Sequence, residues 1–66
     1  YQRKKRIDEL EILIRELEAE IDTITNELES ASTAGALERV ADLGEAYTTK
    51  EGLLNTALEE WTELAE

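Results

Sequence analysis

The chain has no cysteine, no proline, no histidine and no methionine, and only three aromatic residues among its 66. Without cysteine it can form no disulfide and no thiolate metal site, a usage that fits a reducing, cytoplasmic setting. Without histidine it lacks the side chain that most often carries proton transfer near neutral pH. No apolar run approaches the roughly 20 residues that span a bilayer, so no membrane partner is expected. The first residues do not resemble a signal peptide. Cations are also scarce. Seven Lys and Arg stand against 17 Asp and Glu, for a net charge of −10. Four of the seven are consecutive: Arg3, Lys4, Lys5 and Arg6.

What the chain has instead is a seven-residue apolar repeat, present twice. In the first half it falls on Ile7, Leu10, Ile14, Leu17, Ile21, Ile24 and Leu28. In the second it falls on Val40, Tyr47, Leu54 and Trp61, with Leu37, Leu43, Leu58 and Leu64 beside them. Steps of three and four residues keep one stripe of an α-helix turned toward a partner helix. Between the halves lies Ser30-Ala31-Ser32-Thr33-Ala34-Gly35, small and uncharged. The pattern predicts an all-α fold, an antiparallel two-helix coiled-coil hairpin forming a single domain. Helix 1 is expected over about 3–30, the turn over about 31–35 and helix 2 over about 36–65. Ser32 or Thr33 is the expected N-cap of helix 2. The chain opens on Tyr1 and reads as a piece of a longer protein.

With a turn near residue 34, facing residues should have numbers summing to about 68. Leu28 then meets Val40, Ile21 meets Tyr47, Ile14 meets Leu54, Leu10 meets Leu58 and Ile7 meets Trp61. Leu17 is the exception, because it faces Lys50 or Glu51. Its expected neighbour is the Lys50 stem, with the ammonium in water. Gly44 is expected on the seam, where it would let the helices approach closely opposite Ile24. At the base of the hairpin, Arg3 to Arg6 come beside Glu59, Glu60, Glu63 and Glu66. A stripe formed by Leu13, Leu53, Ala57 and Leu64, with Ile12 pointing outward, is the candidate docking patch. Through it the chain could pack on a neighbouring domain or form a weak homodimer; otherwise it is a monomer.

Nothing in the sequence suggests catalysis. Carboxylates at helical spacing, such as Glu16 with Glu20 and Glu59 with Glu63, sit on solvated faces, not in a desolvated pocket. Gly35, Gly44 and Gly52 are too far apart for a phosphate-binding loop. No catalytic, cofactor or metal residue is expected in these 66 residues. A nucleic-acid contact would need cations and a free aromatic, and only Tyr1, Arg3, Lys4, Lys5 and Arg6 supply both. The acidic body should repel phosphate backbones.

Three stretches together resemble a known family. Tyr1 stands first, Lys5 takes a basic position, and Ile7 and Leu10 take leucine positions. Ile14-Arg15-Glu16-Leu17-Glu18 follows, and Glu59-Glu60-Trp61-Thr62-Glu63-Leu64 closes the second helix. This resembles the C-terminal coiled-coil domain of ABC-F family ATPases, the Uup-like branch. Glu11 stands where that family often carries proline, and the connection between helices is shorter than is usual there. The resemblance implies a cytoplasmic parent with two upstream ATP-binding cassettes, whose ATP and Mg sites lie outside this chain. It also implies a non-enzymatic accessory arm that helps engage DNA, RNA or the ribosome.

Overall fold

In the computed structural model, which describes residues 2–66, two helices lie side by side. Helix α1 spans Gln2–Ala34 and helix α2 spans Leu37–Ala65. At 1.5 Å per residue, 33 residues of α1 account for the long dimension of a rod measuring 50 × 14 × 14 Å. The helices pack on each other along their length as an antiparallel hairpin.

The register follows from contacts at the two ends. At the base, the Arg3 Nε donates to the carbonyl of Leu64. At the tip, the Ala36 amide donates to the carbonyl of Ala31 at 2.9 Å. Stepping inward by heptads from residues 3 and 64 pairs 10 with 57, 17 with 50, 24 with 43 and 31 with 36. This series contains all four of the residues that are buried among those described, Leu10, Leu17, Ala31 and Ala57. Ile7, Ile14, Ile21, Ile24, Leu28, Val40, Leu43, Tyr47, Leu54, Trp61 and Leu64 are half-buried along the same seam.

One expected layer changes. Leu10 faces Ala57, not Leu58, and the small alanine against the large leucine fills the layer. Leu58 turns outward and is 38% exposed, while Ala57 is 3% exposed and is seam, not docking surface. Leu37 also leaves the seam and is the most exposed of the large apolar side chains, at 81%. Leu17 is buried beside the half-buried Lys50, whose Nζ lies 2.6 Å from Glu20 Oε2. The ammonium therefore finds an ion pair instead of water alone.

The turn is tighter than expected, and α1 runs to Ala34. Gly35 adopts φ +72°, the left-handed conformation that glycine takes without a Cβ penalty. Its amide donates to the Ser32 carbonyl at 3.1 Å, and the Ala36 amide donates to Ala31. These two bonds are the Schellman arrangement that closes a helix C-terminus. The Leu37 amide then donates to the Gly35 carbonyl at 3.0 Å, making an inverse γ-turn at Ala36 (φ −83°, ψ 80°). Ala36 is the N-cap of α2 and provides no side-chain cap. Ser32 and Thr33 do not cap α2, because both are still inside α1. Thr33 Oγ1 donates back to the Glu29 carbonyl at 3.0 Å. Gly44 brings no close approach either: a Cβ built there meets nothing within 4 Å.

Candidate functional site

Each helix alone has the wrong charges for its terminus at the hairpin base. The first turn of α1 has no acid and the last turn of α2 has no base. Both arrangements oppose the helix macrodipole. Antiparallel packing corrects the fault, because cations of α1 lie against the carboxylate end of α2. Arg3 satisfies one of the last, otherwise unpaired carbonyls of α2. Arg6 grips Glu60 with two parallel bonds, Nε to Oε2 at 2.6 Å and Nη2 to Oε1 at 2.8 Å. Its Nη1 also lies 3.7 Å from Glu9 on its own helix. The hydrogen bond from Arg6 holds the Glu60 carboxyl below the usual range, and the bond to Glu60 raises Arg6.

The basic cluster is thus divided. Arg3 and Arg6 join the helices, while Lys4 and Lys5 are exposed and form no ion pair among the described residues. Of the four acids expected at the base, Glu60 is paired; Glu59, Glu63 and Glu66 have no ion pair among the described residues. Tyr1, the fifth candidate for a nucleic-acid contact, lies outside the described residues.

One flank of the seam is cross-linked by charge. Arg6 pairs with Glu60, Glu20 with Lys50, and Glu27 with Arg39 at 3.4 Å. Positions 6, 13, 20 and 27 are successive heptad equivalents on α1, as are 60, 53, 46 and 39 on α2. Leu13 and Leu53 therefore occupy the rung next to the Arg6–Glu60 pair, 39% and 52% exposed, and on the following rung Glu20 lies against Ala46 and reaches Lys50 instead. Of the candidate docking patch, Leu13 and Leu53 share this rung, and Leu64 is half-buried at the base. Ile12, at 57% exposure, stands on the far side of α1 two residues from buried Leu10.

The opposite flank carries a feature the sequence reading missed. Glu11, Ile14, Arg15, Leu58 and Trp61 line an open groove of about 230 Å³. The Trp61 Nε1 beside it is buried and makes no hydrogen bond. The outward turn of Leu58 created this groove, and that turn is visible only once the register is fixed. No group of His, Cys, Asp or Glu among the described residues could hold a metal ion. Among the described residues no helix is long and apolar enough to cross a membrane.

The family model described as ABC transporter C-terminal domain covers residues 1–66. No curated protein and no solved structure matches the chain.

Proposed function

The chain belongs to the ABC transporter C-terminal domain family, and from that premise we propose that it is a non-catalytic arm of an ABC-F-type ATPase. It is an accessory domain of an ABC protein. In the finer reading, ATP and Mg are handled by cassettes elsewhere in the parent, and this hairpin assists contact with nucleic acid or the ribosome. The observation that carries the reading is the state of Lys4 and Lys5. Both are exposed, at the hairpin base, and unclaimed by any carboxylate among the described residues. A polyanion can approach there and is repelled along the acidic body. Arg3 and Arg6 hold the base together and reinforce the local positive field.

The test is fluorescence anisotropy with a short structured RNA and a duplex DNA of equal length. Two lysines on phosphates predict a shallow dependence, with log K against log salt falling at a slope of about −2. Lys4→Glu with Lys5→Glu should abolish binding without changing helicity. Unchanged affinity and slope in that double variant would remove the site.

A second reading, a structural coiled coil that self-associates, is favoured by the Leu13–Leu53 rung. The neighbouring rung toward the base is the Arg6–Glu60 pair, and this one is apolar and exposed. Under it, Leu53→Glu should convert a dimer to a monomer in sedimentation.

A further inference from the structure

The two flanks of the seam treat their charges differently. On the flank that carries Leu13 and Leu53, Glu20, Glu27 and Glu60 each meet a cation from the other helix. On the opposite flank the groove brings Glu11 of α1 beside Leu58 of α2. One heptad further along, the same register sets Glu18 against Glu51. Glu11, Glu18 and Glu51 are exposed, and none forms an ion pair among the described residues. Like charges at facing flank positions of a coiled coil are unfavourable. This flank therefore combines an apolar floor with carboxylates that the hairpin itself does not answer.

We propose that this groove is the docking site for a cationic amphipathic helix of another polypeptide, one with aliphatic residues on one face and Lys or Arg beside them. The geometry suits that occupant. The groove is open, and at about 230 Å³ it is smaller than a pocket that encloses a cofactor. It runs between two helices, with Ile14, Leu58 and Trp61 as apolar contacts, as a third helix laid along a hairpin requires. Cations on the incoming helix complement Glu18 and Glu51. Arg15, on the groove rim, is placed to meet an acid on the same partner. A nucleic acid or an anionic bilayer meets repulsion here, and a second copy of the chain brings ten more net negative charges. The proposal does not depend on Lys4 and Lys5, which lie at the base.

Trp61 is the sole tryptophan and lines the groove, so its emission reports occupancy directly. The probe is a synthetic tryptophan-free helical peptide with Leu at i, i+3, i+4 and i+7 and Lys on both sides. We expect a saturable one-to-one change in Trp61 emission that weakens with added salt. Leu58→Ser, and separately Glu18→Gln with Glu51→Gln, should each weaken binding about tenfold or more. Leu53→Ser, on the other flank, should leave it unchanged. The charge variants alter only exposed side chains, so the fold is not at stake in that arm, and circular dichroism checks the Leu58 variant. Four results would overturn the proposal. They are no saturable change, equal weakening by Leu53→Ser, equal binding of a Leu/Glu peptide, and a Leu58-dependent response to duplex DNA or to the chain's own concentration.

Discussion

The two ends of this hairpin are held by different physics. At the closed end the backbone does the work: Gly35 in the left-handed region, two Schellman bonds and a γ-turn at Ala36. No charged side chain takes part between Ser30 and Leu37, because that segment has none. At the open end the two helix termini have no backbone link, and side chains join them: Arg3 on the Leu64 carbonyl and Arg6 on Glu60. The closed end should therefore be indifferent to salt and pH, and the open end sensitive to both.

The strongest perturbation lies between the ends and sets the scale for them. Leu10 is 1% exposed and Leu17 is 4% exposed. Leu10→Ala or Leu17→Ala should cost about 2–5 kcal/mol in urea denaturation, enough to unfold so thin a core at physiological temperature. Gly35→Ala comes next. Forcing a Cβ into the left-handed conformation costs about 1–2 kcal/mol, and the loss should be the same at low and high salt. Gly44→Ala sharpens the contrast by its opposite sign. Gly44 is inside a helix, its φ is not positive and a Cβ meets open space, so the variant should gain up to about 1 kcal/mol. Matching losses at both glycines would show that the turn does not depend on Gly35's conformation.

The open end should respond least and differently. Glu60→Gln should lower the melting temperature slightly in low salt, and the difference should vanish in high salt. The pH dependence has a definite sign. Arg6 depresses the Glu60 carboxyl in the folded state, so its contribution is complete above the ordinary glutamate range. It is lost as pH falls through the depressed folded value, because protonation there breaks the pair. Melting curves across the acid range should show this loss in the parent chain and not in Glu60→Gln.

The same division explains what could be read from the residues alone. The heptads made two helices legible, and the short uncharged break between them, with opposite charges at the two ends of the sequence, made them antiparallel. The base was legible because opposite charges at the two ends of the sequence, Arg3 to Arg6 and Glu59 to Glu66, have one arrangement that brings them together. The tip was not. Ser32 and Thr33 imitate an N-cap, yet they lie within α1, and Gly35 followed by α2 is the C-terminal glycine signal that outranks them. Ala57 and Leu58 show the limit of hydrophobicity as a guide. Both are apolar and adjacent, and the larger residue was assigned to the seam. The register read from the contacts at both ends puts the smaller one inside. Leu58, left outside the seam by that single-residue choice, lines the groove beside Trp61.

Sedimentation equilibrium over a range of chain concentrations, with and without a short structured RNA at low and physiological salt, tests the nucleic-acid arm most directly. The expected result is a monomer whose mass is independent of concentration and that takes up one RNA at low salt, losing it gradually as salt rises. A dimer at all concentrations that takes up no RNA would contradict that role.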